Sequence, residues 1–331
     1  MGWKGTVRSI RASYRAAERD AQRRRRELER ERKAYAKMEE LAQAEFEVEV
    51  YENEVELLLS VHKECGGLVD WQSMASASQP FAPEQSNKLE KRAKKALRDY
   101  KPGLFTRLFK REHAVRERLT TSIEKSREKD EANYEAAVEQ WKADHKDWKE
   151  SGELARRIVA GDRKAMLEAI KDLDPFSDIS QLGSHLEFQV WEEGIVEATL
   201  HVHSQDVVPG EVKSLLKSGK LSVKKMPKGQ FNELFQDYVC GCALRVANEL
   251  FSILPIESTI ITAVDQMLNT KTGHLEETPV LSALIPRKTL ERMNLEGIDP
   301  SDSMENFVHN MNFKKTKGFE GVERLRPDCV L

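Results

Sequence analysis

The stretch Phe231–Leu254, FNELFQDYVCGCALRVANELFSIL, constrains the fold more than any other. Its apolar residues are Phe231, Leu234, Phe235, Tyr238, Val239, Cys242, Ala243, Val246, Ala247, Leu250, Phe251 and Leu254, and the steps of three and four between them are helix spacing. Cys240 and Leu244 carry the apolar surface further round, so this helix has to be buried on most sides. Glu233, Gln236, Asp237, Arg245, Asn248 and Glu249 interrupt it too often for a membrane span. It is expected to be the central helix of an α+β domain.

The flanking sequence predicts strands around that helix. Leu186–Trp191 and Ile195–His203 alternate apolar and polar residues across a Glu193-Gly194 turn, as a hairpin does. Lys220–Met226 follows the Ser218-Gly219 turn as a third strand. Ser258–Val264 and Pro279–Ile285, with a Lys271–His274 turn between them, are β-branched and apolar. Asp299-Pro-Ser-Asp302 predicts a helix start, with Met304, Phe307, Val308 and Met311 on the buried face. The domain is expected over 178–331, with an antiparallel or mixed sheet around one buried helix.

The first half of the chain has a different character. Residues 6–65 contain neither proline nor glycine, so one helix of about 90 Å is possible there. Residues 1–35 hold twelve Lys or Arg against five acids, and residues 38–64 hold nine Glu against one Lys. Leu41, Ala44, Val48, Tyr51, Val55 and Leu58 form a seam in steps of three and four, and Tyr134, Val138, Trp141, His145 and Trp148 form another. These seams predict a helical hairpin or coiled-coil arm over 1–151, with long helices at about 4–65 and 104–151. A linker and a short basic helix occupy 66–103 in this reading, and Gly152 and Gly161 punctuate a joint at 152–177. A composition of 33% charged and 39% hydrophobic residues, with mean hydropathy −0.61, suits an exposed helical region joined to an ordinary domain.

No apolar run reaches the roughly 18 residues of a membrane helix, and the basic N-terminus lacks the apolar core of a secretory signal. The four cysteines have no metal spacing, which predicts reduced thiols in a cytoplasmic protein. The nucleotide-binding, nucleophile-elbow and zinc-protease motifs are all missing.

Three groups of residues carry candidate chemistry. Arg8, Arg11, Arg15, Arg19, Arg23 and Arg26 recur at helical spacing, and Lys88, Lys91 and Lys95 do the same on the short basic helix. Such stripes neutralise phosphates, which makes DNA or RNA a candidate partner. Opposite charges along the arm point equally to self-association or a protein partner. His201 and His203 share one face of a strand and are candidate metal ligands, set against the plainer reading of a polar outer face.

The third group follows from element order. A helix followed by β-β-β-α-β, over roughly residues 160–265, resembles the order in restriction-endonuclease-like nucleases. That resemblance implies two carboxylates holding Mg²⁺ and a lysine that polarises water. Lys224 has no acid two residues before it, whereas Glu211-Val-Lys213 fits the pattern with Asp206 upstream, although the segment after Pro209-Gly210 looks like a loop or short helix. Asp206, Glu211 and Lys213 are therefore the catalytic candidates of a nuclease, and Mg²⁺ is expected only in that case. The main expectation is an interaction or scaffold protein without a cofactor.

Overall fold

The computed structural model describes residues 40–103, 111–176, 185–192, 194–202 and 207–327. In chain order the elements are α1 (Glu40–Leu59), α2 (Trp71–Ala75), α3 (Lys88–Arg98), α4 (Glu112–Val159), α5 (Arg163–Leu173), β1 (His185–Val190), β2 (Val196–His201), β3 (Glu211–Leu215), β4 (Leu221–Lys225), α6 (Lys228–Ile253), β5 (Ser258–Leu268), β6 (Leu275–Pro286), α7 (Arg287–Leu290), α8 (Pro300–Ser303), β7 (Val308–Lys314) and β8 (Gly318–Glu320). The architecture is α+β, with a long helix and a mixed sheet. Described residues in 73–153 form a helical unit, and those in 40–72 and 154–327 form an α+β unit.

The α+β unit is organised by α6. Tyr238, Val239, Cys240, Cys242, Ala243, Leu244, Val246, Ala247 and Leu250 are all 0% exposed, as a helix apolar around its girth requires. It ends where Leu254 turns extended (φ −129°, ψ 143°), because the ring of Pro255 disfavours a helical residue before it. The sheet order is β1-β2-β5-β6-β7-β8. Only β2 and β5 are parallel among these neighbours. Parallel neighbours need a long crossover, and α6 lies within this one. Val196, Ala198 and Leu200 lie in register with Thr259, Ile261 and Ala263, giving the sheet the apolar face on which α6 packs.

Residues 40–72 also belong to this unit. Ala44, Val48, Tyr51 and Leu58 of the first seam are buried, and α1 packs on α6, β3 and β4. The helix expected in an arm therefore finds its partner within the α+β unit. After the 3-10 turn Val61–Lys63, the chain is pinned along α6 by Gly66 N donating to Glu249 Oε1 (2.9 Å), Val69 N donating to Ser252 O (2.9 Å) and Trp71 Nε1 donating to Ile253 O (2.6 Å).

Three further expectations are corrected. Glu211–Leu215 is a strand, paired with β4 in a two-stranded sheet of its own, because Val212, Ser214 and Ser222 suit a pleated ribbon closed by Gly219 at φ +79°. The helix expected from Asp299 lasts only Pro300–Ser303 and a 3-10 turn, although Asp299 caps it by accepting from Ser301 N and Asp302 N. Val308-His-Asn-Met-Asn-Phe313 then runs as β7, where Val308 is 57% exposed, because Met311-Asn-Phe313 alternates and β6 offers it an antiparallel ladder. Gly152 lies inside α4 and is buried, so the helix runs through it to Val159 and stops at Gly161, whose φ is +81°.

His62 lies in the 3-10 turn, 1% exposed, and neither ring nitrogen makes a well-formed hydrogen bond among the described residues. Its Nδ1 lies beside Gly241 of α6, 3.7 Å from where a Cβ there would stand. Burial, first, and the Lys63 charge lower its pKa below the ordinary 6.5, against the opposing pull of the Leu295 backbone, Glu296 and Asp299. A lowered folded pKa means that the unfolded chain binds the proton first. Stability is therefore full above the ordinary imidazole value and falls as acid is added through it. Thermal unfolding of the full chain at pH 7.5 and 5.5 is expected to show this loss in the wild type and a smaller one in His62→Leu.

The helical unit is built along α4. Trp141, His145 and Trp148 of the second seam form a ladder, with successive ring centroids 5.3 and 5.5 Å apart. Their indoles reach the extended segment before α3: Trp141 Nε1 donates to Pro80 O (3.0 Å) and Trp148 Nε1 to Ala77 O (2.8 Å). An indole carries both an apolar face and a donor, so an extended chain with unpaired carbonyls lies along it.

Candidate functional site

The chemistry of the helical unit is concentrated on α3. This helix buries no residue. On a wheel of 3.6 residues per turn, Lys88, Lys91, Arg92 and Lys95 fall within an arc of about 100°, with Leu89, Ala93 and Leu97 on the other side. All four cations are exposed. Lys94 is paired with Glu90 at 2.7 Å and Arg98 with Asp99 at 3.3 Å, whereas the four on the arc have no ion-pair partner among the described residues.

The helix is held in place by a residue outside it. Asn87, at its N-cap, makes no side-chain cap bond. Asp130 of α4, 8% exposed, accepts instead from Leu89 N (3.2 Å) and Glu90 N (2.9 Å). A carboxylate on the first free N–H groups satisfies orphan donors and complements the helix dipole. Asp130→Ala is expected to cost α3 about 1 kcal/mol. Amide exchange at Leu89 and Glu90 should quicken while α4 beyond Asp130 keeps its protection.

Charge is unevenly distributed along the unit. Residues 88–103 and 111–129 carry thirteen Lys or Arg against six acids, and residues 130–153 carry three against eight. The positive charge is thus concentrated on α3 and the first part of α4, where Arg118, Lys125, Arg127 and Lys129 are also exposed.

No family model, curated protein or solved structure matches the chain.

Arg8, Arg11, Arg15, Arg19, Arg23 and Arg26, with Asp206 and His203, lie outside the described residues. Glu211 and Lys213 share one face of β3, and Glu211 stands opposite Lys225. Lys213 Nζ is engaged by Glu47 Oε2 of α1 at 3.2 Å.

His201 ends β2 among carboxylates. Its Nδ1 is 3.3 Å from Glu277 Oε1, its Nε2 is 3.9 Å from Glu187 Oε2, and its ring is 5.6 Å from that of His185. The register explains this grouping, since His185 lies opposite His201 and Glu187 opposite Thr199. No group of three or more His, Cys, Asp or Glu among the described residues is placed to hold a metal ion. Cys240 and Cys242 are buried in α6, where desolvation raises the first well above the ordinary thiol range and pushes the second up to about 12. Both are packing groups rather than nucleophiles.

Two functional features escape sequence reasoning. Asp130 reaches α3 across forty positions, and only its place four residues before Tyr134, where the second seam begins, hints at an inward direction. Glu197, 7% exposed, accepts from Trp191 Nε1 at 3.0 Å, and the alternation of its strand, which places it on the polar side, hides its burial.

Proposed function

We propose that the chain is an interaction protein whose helical unit docks a polyanionic partner, with the phosphate backbone of nucleic acid as the class that fits best. The observation carrying this reading is the unpaired cation arc Lys88, Lys91, Arg92 and Lys95 on a helix that buries nothing. Cations tied up by neighbouring acids have little left to offer a ligand, and these four are not tied up. From Lys88 to Lys95 the arc runs about 10 Å along the axis. Duplex phosphates recur every ~3.4 Å of axis on each strand, so the arc spans about three of them. Contacts of this kind position a backbone and carry no sequence information. A hydrolytic role for Glu211 and Lys213 is left out of the proposal because Glu47 occupies the lysine.

The test is titration of the full chain onto labelled duplex and single-stranded DNA and RNA at two salt concentrations. Binding is expected to weaken steeply with salt. Reversing Lys88, Lys91 and Lys95 to Glu should lower the logarithmic salt slope on duplex by roughly 2–3. Equal binding by wild type and triple variant would contradict the proposal.

Self-association through the helical unit is the second reading. It is favoured by Val115, Leu119 and Ile123, which step by four along α4 and are half-buried. Light scattering on the same samples separates the two readings, since a mass of two or more chains without nucleic-acid binding selects assembly.

A further inference from the structure

We infer that the sheet face opposite α6 is a groove for an extended peptide, filled in this chain by its own residues 321–327 and able to release them. The groove floor is a row of polar side chains across four strands. Thr199 of β2 lies in register with Thr262 of β5, Thr262 with Ser282 of β6, and Ser282 with Asn310 of β7. Thr262 and Ser282 are 0% exposed and share a 2.9 Å hydrogen bond, and Thr199 is 8% exposed. A face that only needed a cover over a core would be expected to carry Val and Ile there. Hydroxyl groups instead offer partners to the N–H groups of a chain laid across them.

Three members of that row, Asn310, Ser282 and Thr199, hold the strap. Asn310 Nδ2 donates to Glu323 O (2.9 Å), Leu325 N donates to Ser282 Oγ (3.0 Å), and Arg324 Nη1 donates to Thr199 Oγ1 (3.4 Å). Arg324 Nη1 is also 4.0 Å from Glu197 Oε1, the buried carboxylate held by Trp191. One backbone–backbone bond joins residues 321–326 to the sheet among the described residues, Val322 N donating to Pro279 O (2.9 Å). Gly321, Glu323, Arg324 and Arg326 are exposed, whereas Pro327 is buried. A segment outside the strand ladder, held by side chains and one backbone bond, sits at the low end of local stability. The groove beneath it is part of the sheet. Its ligand class is an extended peptide with a basic residue for Glu197 and an apolar residue next to it. The occupant in trans is the same segment of a second copy.

The test uses the full chain with Gly321→Val. A Cβ at Gly321 would lie 2.6 Å from Thr278 Cγ2, so a valine there lifts the strap. The probe is a fluorescent peptide of residues 319–327, read by anisotropy, with amide exchange following the strap. The peptide is expected to bind Gly321→Val at least tenfold more tightly than wild type, whose own strap competes. Arg324→Ala in the peptide should weaken binding by about threefold or more, because its contacts to Thr199 and Glu197 are long and partly exposed. Equal binding by variant and wild type, or by the Arg324→Ala peptide, overturns the inference. So does a strap that stays protected in Gly321→Val, because it cannot be lifted. Loss of the fold in that variant overturns it too, because removing a ligand leaves its site standing.

Discussion

Replacing Glu249 by alanine is expected to destabilise the α+β unit by about 3–5 kcal/mol, the largest effect of any single polar substitution in it. Glu249 is 0% exposed and Arg245 5%, and Arg245 Nη2 is 3.0 Å from Glu249 Oε1. The same Oε1 accepts from Gly66 N, and Ser252 Oγ donates to Glu249 O at 2.8 Å. Removing the carboxylate leaves a buried guanidinium with Glu64 Oε2, at 3.6 Å on a side chain 69% exposed, as its remaining acid. It also frees the chain after α1, which Gly66 ties to α6. A paired replacement, Arg245→Met with Glu249→Leu, removes both charges and should cost far less, because neither ion is then left unpaired. Denaturant unfolding of the full chain measures both. A small effect of Glu249→Ala would mean that the pair is solvated in solution.

Arg287→Ala is expected to cost about 3–4 kcal/mol, from the loss of charge-assisted bonds worth ~1.5–3 kcal/mol each that do not add fully. Arg287 closes the C-terminal end of α6. Its Nε donates to Ile256 O (2.7 Å), and its Nη2 donates to Phe251 O (2.8 Å) and Leu254 O (2.6 Å). The guanidinium also lies 4.9 Å from the Phe251 ring centroid. The Phe251 and Leu254 carbonyls are orphans of the helix end, and one planar fork gathers them together with that of Ile256 beyond it. Lysine has charge but no fork, so Arg287→Lys should recover less than half of the loss in the same unfolding experiment. Full recovery by lysine would show that charge alone is what the helix end requires.

Much of the α+β unit was legible because its signals are local. The girth of α6, the alternation of β1 and β2, and the glycine turns at Gly194, Gly219 and Gly273, all at positive φ, are written in neighbouring residues. Partner choice was less legible. The seam of α1 specifies a stripe to be covered, and a sheet with a helix covers it as well as a second helix does. The seam of α4 predicts a helical partner, yet its tryptophans take an extended chain because indole N–H groups need acceptors. Asp299 and four apolar residues fit a helix through Val308 and Met311, but β6 offers β7 a ladder that the isolated sequence cannot show. At the candidate site, Lys88, Lys91 and Lys95 were visible from spacing alone, whereas their lack of acidic partners and the cap from Asp130 depend on the fold.

The most direct measurement is lysine footprinting of the full chain with an amine-reactive reagent, with and without the oligonucleotide it binds best at low salt. Modification of Lys88, Lys91 and Lys95 should slow on binding, while that of Lys271, on the β5–β6 turn, should not change. If those three lysines react as fast in the complex as in the free chain, α3 is not the surface that meets nucleic acid and the central claim fails.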